Sequence, residues 1–268
     1  MTDGYLLANR QSEAGKRLRA LAELFDPSTF RHIERIGIAR GWHCWEVGAG
    51  GPTVAAWLAE RVGVEGSVLA TDIDLSWITG PGQRSFEVRR HEVGAEAPPP
   101  GPFDLIHARL VLVHVPRRAE VVSELIAVLR PGGWLLVEDA DPGLQPLACL
   151  DEYGDEQRLA NKIRRDVRTL MVQRGADLAY GRTLPRVLRQ GGLVEVEADA
   201  YFPITSPSCT VLERATVEQT RDRLVTEAIA TAEEIERHLA ALASGELDVA
   251  TSPMISAWGR KPEGPDPT

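Results

Sequence analysis

A glycine turn between a strand-like run and a helix-like run is the feature that most constrains the fold. The turn lies in WEVGAGGPTVAAWLA (residues 45–59), where Gly48 and Gly50 form a G-x-G pattern. Glycines at such a turn let the backbone approach a ligand closely. Further apolar strand-like runs alternate with helical patterns: SVLATDI (67–73), FDLIHA (103–108) and WLLVED (134–139). This alternation predicts an α/β fold, a doubly wound, mostly parallel seven-stranded sheet covered on both faces.

Helical segments precede and interrupt this pattern. Two N-terminal helices are expected, the second capped by Asp26 and beginning at Pro27. After Asp141 a long amphipathic helix replaces the next strand, and a second long helix is predicted over 215–243. The predicted organisation is a helical cap (1–37), a ligand-binding core (38–141), a helical insertion (142–181), the rest of the sheet (182–262) with a helical lid insertion at about 211–248, and a disordered tail (263–268).

Composition excludes several classes of protein. A net charge of −9 argues against a nucleic-acid partner. The 3 cysteines are too few and scattered for a disulfide framework or a Cys-x-x-Cys metal site, which favours a reduced, cytoplasmic protein. No apolar run is long enough to predict a membrane span, and the first residues do not resemble a signal peptide.

Two residues near the turn argue against a dinucleotide ligand. The dinucleotide fingerprint G-x-G-x-x-G would need glycine at position 53, which is Thr53. Pro52 has no N–H to offer a pyrophosphate at the start of the helix, and Glu46 would repel it. The same carboxylate favours a cationic ligand.

Two more acids lie at the ends of the next two predicted strands. Asp72 ends the second strand, where a carboxylate can accept both hydroxyl protons of a ribose. Glu92 follows the third strand and can accept a hydrogen bond from an adenine amino group. Together with Glu46, these acids suit S-adenosylmethionine, which combines adenosine with a sulfonium and an ammonium.

On these residues the chain resembles class I S-adenosylmethionine-dependent methyltransferases of the small-molecule type. The E-x-G-x-G motif is Glu46, Gly48 and Gly50, the acid of the second motif is Asp72, and LRPGG (129–133) precedes the fifth strand. The chain departs from the family pattern at Pro52, where a third glycine is usual, and at Glu92, where Asp is more usual. The resemblance implies a Rossmann-like methyltransferase fold. It also implies cofactor contacts at Tyr5, Glu46, Gly48, Ala49, Gly50, Asp72, Ile73, Glu92, Val93 and His107.

The resemblance implies methyl transfer to a small, fairly hydrophobic organic acceptor, a natural-product or quinone-like metabolite, with S-adenosylhomocysteine as product. The insertions are expected to form the acceptor pocket. Where the acceptor must lose a proton, His107 and His114 are the candidate bases. The acids Glu138, Asp139 and Asp141 are similar to the metal ligands of catechol-type enzymes, but the Asp-Asn pair is missing. No metal is therefore predicted.

Other functions stay open at this point. A noncatalytic S-adenosylmethionine-binding protein or a cofactor-assisted cyclase would carry the same motifs. An NAD-linked reductase is disfavoured because the third glycine and a Tyr-x-x-x-Lys pair are missing. DNA amino-methylating enzymes carry Asp/Asn-Pro-Pro-aromatic after the fourth strand, where this chain has HARL (107–110). The expected partner is a small-molecule acceptor, without nucleic acid or membrane, and a homodimer is allowed.

Overall fold

The structure is a computed structural model that describes residues 12–78 and 85–264. Within the described residues the chain forms two compact units. A sheet unit comprises Asp26–Ala140, Tyr180–Tyr201 and Met254–Thr268, and a helical unit comprises Met1–Phe25, Asp141–Ala179 and Phe202–Pro253. Tyr5, a predicted cofactor contact, lies outside the described residues.

The sheet unit is built on one seven-stranded sheet of order β3-β2-β1-β4-β5-β7-β6. Neighbouring strands pair in parallel from β3 through β5, and β7 runs antiparallel to both β5 and β6. The predicted fold class, a mostly parallel seven-stranded sheet, is therefore confirmed. The strands are β1 (His43–Val47), β2 (Ser67–Asp72), β3 (Glu87–Arg90), β4 (Phe103–Arg109), β5 (Leu129–Ala140), β6 (Val194–Tyr201) and β7 (Met254–Arg260).

The helices are numbered in chain order. They are α1 (Ser12–Ile36), α2 (Thr53–Val62), α3 (Arg118–Ala127), α4 (Asp155–Gln173), α5 (Leu184–Gln190), α6 (Pro207–Thr226) and α7 (Ala232–Ser244). Alternate strand residues point to opposite faces, so the sheet has two separate apolar cores. One core joins Cys44, Leu105 and Leu136 to Ile33 of α1 and to α2. The other joins Trp45, Ile106 and Leu135 to α3 and α5.

The N-terminal helices differ from the sequence prediction, because one helix, α1, runs through Pro27 without a break. Asp26 does not cap a second helix; its carboxylate accepts a hydrogen bond from Arg109 at 2.6 Å. Proline costs a helix one hydrogen bond. The turn after it nonetheless stays helical because Thr29, His32 and Ile33 are almost completely buried in the sheet unit. Tertiary burial thus outweighs the local stop signal.

Two further elements differ from the prediction. The sequence predicts that LRPGG (129–133) lies before the fifth strand. In the structure β5 already begins at Leu129 and passes through PGG, and its pairing with β4 shifts there. Gly132 adopts φ 74° there. The helix predicted over 215–243 is two helices, α6 and α7. Thr231 caps α7 by accepting the N–H of Glu234, whose side chain accepts the N–H of Thr231 in return. A capping box of this kind starts a new helix.

The helical unit packs α4, α6 and α7 around its own buried charges. Arg164 of α4 donates from Nε and Nη2 to one oxygen of Glu213 of α6, at 2.9 and 2.5 Å. His238 of α7 is buried, with Nε2 3.7 Å from the other oxygen. Residues 26–36 belong to the sheet unit, and Phe202–Pro253 is the last segment of the helical unit; the predicted division into cap, core and insertions stays a prediction.

Candidate functional site

The glycine turn after β1 depends on backbone conformations that favour glycine. Gly48 and Gly50 have φ angles of 62° and 61°, in the left-handed region. A Cβ at Gly48 would stand 2.3 Å from Cγ2 of Val111, so no side chain fits without displacing that valine. The N–H of Ala49 donates to the carbonyl of Thr71 at 2.9 Å, which joins the turn to the end of β2.

Asp72, the last residue of β2, completes that junction. Its Oδ2 accepts the N–H of Gly50 and its Oδ1 accepts the N–H of Asp74, both at 2.9 Å. The side chain is buried, and burial raises the pKa of Asp72 above its ordinary value even though these hydrogen bonds lower it. A carboxylate offers about four acceptor positions. Acceptor capacity therefore remains for two further donors, such as the hydroxyls of a ribose.

Glu46 pairs with a side chain of the protein in this structure. It is buried, and its Oε2 is 2.6 Å from Nδ1 of His107. Glu46 and His107 are direct neighbours on the paired strands β1 and β4. The cation nearest to the Glu46 carboxylate is therefore a side chain of the protein itself.

His107 is fully buried between two carboxylates, because its Nε2 lies 3.1 Å from Oε2 of Glu138. Burial alone would lower the pKa of His107. The charge of Glu46 and the hydrogen bonds to both acids outweigh burial and raise the pKa to about 9. An imidazolium that donates from both nitrogens cannot accept a proton at neutral pH. This geometry argues against His107 as the general base.

The third predicted acid, Glu92, lies just beyond β3 on the surface. Its side chain is 54% exposed, with Oε2 3.8 Å from Arg90. The N–H of His91 donates to the carbonyl of Asp72 at 3.0 Å, so this segment does lie beside the end of β2. Two further predicted cofactor contacts adjoin these acids in the sequence. Val93 packs against the apolar core, and Ile73 is 52% exposed. The structure thus brings Glu92 near Asp72 but leaves its carboxylate in solvent.

His114 ends a short 3-10 helix, Leu112–His114, and is exposed. Among the residues that the structure describes, the hydrogen-bond partners of His107 are Glu46 and Glu138 and do not include His114. The two candidate bases therefore do not act as a pair.

Three functional features escaped the sequence reasoning. Glu138 anchors His107, Val111 fills the space beside Gly48, and Arg109 donates to Thr29 at 2.9 Å as well as to Asp26. The sequence does contain a signal for the Glu138 contacts, because two polar residues lie three positions apart on the apolar face of α1. Those residues, Thr29 and His32, are the partners of Glu138.

Metal-binding groups and membrane-spanning helices are both absent from the described residues. No group of three or more His, Cys, Asp or Glu residues in the described ranges is arranged to hold a metal ion. None of the described helices is both long and apolar enough to cross a membrane.

Comparison with known proteins agrees with this geometry. Residues 8–196, more than half of the chain, match the model of a methyltransferase-domain family. Methyltransferase str3 of Strobilurus tenacellus is 51% identical over 91 residues, which cover 34% of this chain and 31% of that protein. Methyltransferase GfsG of Streptomyces halstedii is 29% identical over 135 residues, covering 44% of this chain and 45% of GfsG. The aligned segments thus span less than half of these relatives.

A solved structure shows the same fold. Phosphoethanolamine N-methyltransferase 2 of Haemonchus contortus, in complex with phosphomonomethylethanolamine and S-adenosylhomocysteine, aligns with a TM-score of 0.54. The identity is 14%, and the alignment covers 95% of this chain and 59% of that one. The same enzyme in complex with S-adenosyl-L-methionine aligns equally well.

The sheet order and the glycine turn beside an acid define the Rossmann-like fold of class I methyltransferases. The chain belongs to the methyltransferase-domain family. S-adenosylmethionine is the cofactor that this membership assigns to it.

Proposed function

We propose that this chain transfers a methyl group from S-adenosylmethionine to a small, fairly hydrophobic organic acceptor. The observation that carries the proposal is the junction of Gly48, Gly50 and Asp72. It combines a turn without side chains with a buried carboxylate that keeps acceptor capacity. Both features suit an adenosine that lies against the backbone.

The residues at this edge of the sheet fit the cofactor. Gly48, Ala49 and Gly50 would hold its methionine part against the backbone of the turn, and Asp72 would accept the ribose hydroxyls. Pro52 precedes α2 without a side-chain cap, and the first turn of α2 contains no acid. Ile73 and Glu92 are proposed to line the adenine, for which Glu92 would have to turn from solvent.

When bound, S-adenosylmethionine supplies a methyl group on a positively charged sulfur that a nucleophile can attack. The task of the protein is to bind and orient, because holding reactants in line can contribute several kcal/mol (about 7–11 in the best cases). His107 is already protonated and doubly hydrogen-bonded, which leaves His114 as the proposed base for an acceptor that must lose a proton. An acceptor that is already nucleophilic needs no base.

The apolar surface of the helical unit supports the choice of a hydrophobic acceptor. Several large apolar side chains of this unit are exposed, including Leu144, Tyr153, Val172 and Ile204. An apolar acceptor would bind where such side chains form a continuous patch. A natural-product or quinone-like acceptor suits that chemistry, and an acceptor pocket made by the insertions stays a prediction.

Calorimetry with S-adenosylmethionine, with NADH in a matched titration, tests cofactor choice. We expect saturable binding of S-adenosylmethionine and none of NADH; binding of NADH alone would refute the proposal. Mass spectrometry then tests transfer. Incubation with a library of phenols, quinols and amines should release S-adenosylhomocysteine together with an acceptor product heavier by one methylene.

A noncatalytic binding protein or a cofactor-assisted cyclase would make the same cofactor contacts. His107 is buried between two acids and is therefore no longer a candidate base, which favours these roles. Tight cofactor binding with no S-adenosylhomocysteine released from any acceptor would support them. We also propose a reduced, cytoplasmic setting, since Cys44, Cys149 and Cys209 are buried free thiols.

A further inference from the structure

A chain of alternating acids and imidazoles crosses the sheet unit beneath its carboxyl edge. It begins at Glu46, two residues before the glycine turn, and continues through His107 and Glu138. From Glu138 it passes to His32, whose Nδ1 is 3.3 Å from Oε1, and then to Asp199, 3.0 Å from Nε2 of His32. The first four side chains are at most 3% exposed, whereas that of Asp199 is 40% exposed.

Glu138 is the fixed centre of this chain. Its Oε2 accepts from His107 and from the hydroxyl of Thr29, and its Oε1 accepts from His32 and, at 2.6 Å, from the hydroxyl of Ser256. Four donors fill the roughly four acceptor positions of a carboxylate. Because the donors come from α1, β4 and β7, Glu138 cannot move without disturbing all three elements. The imidazole of His107 is therefore held by a rigid partner.

Glu46 has no comparable support. Among the described residues, the one side chain that hydrogen-bonds the Glu46 carboxylate is His107. A buried carboxylate without a cation is costly and takes up a proton or moves. The position of the Glu46 carboxylate, two residues before Gly48, thus depends on the imidazolium.

The remaining charged groups around the chain are few. Arg109, on β4, lowers the pKa of Glu138 by its charge, and Arg31 lies 3.2 Å both from His32 Nε2 and from Asp199 Oδ2. Hydrogen bonds to Glu138 and Asp199 raise the pKa of His32 despite burial.

We propose that His107 is a positioning residue for the cofactor: held by Glu138, it fixes the carboxylate of Glu46, two residues before the glycine turn that receives S-adenosylmethionine. This inference rests on the proposed function, because the ligand positioned is the cofactor. It gives His107 a role different from that of a base. The reaction then needs no proton transfer through this histidine.

Isothermal titration with S-adenosylmethionine between about pH 6 and 9 tests the proposal in the full-length chain. In His107→Gln, two facing buried carboxylates lose their shared cation. We expect the dissociation constant to rise about tenfold relative to wild type, because the two buried carboxylates no longer share a cation that holds them in place. The α-amino group of the ligand also titrates in this range. It does so in every variant and cancels in the ratio to wild type.

Two other variants make the result decisive. His43→Gln removes an exposed histidine at the opposite end of β1 and should bind the cofactor as wild type at every pH. Glu138→Gln removes one of the two charges that keep His107 protonated. Wild-type affinity should fall as the pH rises through about 9, the pKa of His107, and in Glu138→Gln this fall should occur nearer neutrality. This shift also serves where His107→Gln does not fold.

The outcomes distinguish failure of the positioning role from failure of the proposed function. Folded His107→Gln that binds within about twofold of wild type at every pH overturns the positioning role, and so does a Glu138→Gln profile that matches wild type. If wild type and His43→Gln both fail to bind S-adenosylmethionine, the proposed function has failed instead.

Discussion

Asp72 joins the glycine turn to the second strand, because its Oδ2 accepts the N–H of Gly50 at 2.9 Å. Asp72 is the last residue of β2 and Gly50 lies in the turn after β1, its parallel neighbour, so a single carboxylate fixes the spacing between the ends of β1 and β2. A cofactor that spans both ends meets a preformed surface. Pre-organisation of this kind reduces the entropy lost on binding.

Replacement of Asp72 by Asn should weaken the binding of S-adenosylmethionine about tenfold or more. One amide oxygen cannot accept both backbone N–H groups, and the ribose loses a charged acceptor. Calorimetry measures the affinity, and thermal unfolding should show a loss of about 1–3 kcal/mol. Asp104→Asn is the matched control, because Asp104 also accepts a backbone N–H, that of His43, but at the amino end of its strand. Its cofactor affinity should equal that of wild type.

Acidification should weaken cofactor binding through Asp72. Burial raises the pKa of Asp72 above the ordinary 3.8. Protonation, and loss of the charged acceptor, therefore begin at a higher pH than for an exposed aspartate. Titration of the affinity between about pH 7 and 4 should show this decline, and Asp72→Asn should lack the corresponding step. An identical pH profile in the two proteins would contradict the assignment.

Replacement of Gly48 by Ala should abolish cofactor binding and lower the free energy of unfolding by about 1–3 kcal/mol. Two causes act together, a positive φ and a Cβ 2.3 Å from Val111. Gly41→Ala separates them, since Gly41 also has a positive φ of 83° but open space around its Cβ. Denaturant unfolding should show the backbone strain alone in Gly41→Ala, with cofactor affinity kept. Equal losses of affinity in both variants would remove the steric argument.

The buried ion pair of the helical unit should control its acid stability. The charge and hydrogen bonds of Arg164, with His238 nearby, outweigh burial and lower the pKa of Glu213 from 4.5 to about 2. A depressed pKa stabilises the fold fully above the unfolded value of 4.5 and loses that contribution as the pH falls toward 2. At neutral pH, Glu213→Gln should cost on the order of 3 kcal/mol, because it leaves Arg164 buried without its counter-charge.

Glu218→Gln provides the control for that experiment. Glu218 also pairs with an arginine, Arg214, at 3.3 Å, but on the surface of the same helix. Its replacement should change the free energy of unfolding by less than about 1 kcal/mol. A cost at Glu213 no larger than that at Glu218 would contradict the stabilising role of the buried pair.

The three cysteines should be unreactive in the folded protein. Burial raises the pKa of the Cys149 thiol to about 11 and also raises those of Cys44 and Cys209. Since the thiolate is the reactive form, a disulfide reagent at about pH 8 should label the native chain slowly. In denaturant all 3 thiols should react at once. Rapid labelling of one thiol in the native chain would show local opening at that site.

Local patterns predicted much of the fold. Strand runs such as WLLVED and SVLATD carry their own signal, because the interior of a parallel strand covered on both faces is mostly apolar. The glycine turn and Asp72 were predicted for the same reason, since both follow directly from the end of a strand. The continuity of α1 through Pro27 could not be predicted, because it depends on burial of Thr29, His32 and Ile33 by residues distant in the chain.

The sequence by itself determined the glycine turn, the acid at the end of the second strand and the alternation of strands and helices, because these are properties of neighbouring residues. Only the tertiary structure decided what Glu46 and His107 do. They lie 61 residues apart, and Glu138 lies a further 31 beyond His107. Parallel pairing of β1, β4 and β5 brings the three side chains onto one buried face. There, charge balance converts a candidate base into an imidazolium held between two acids.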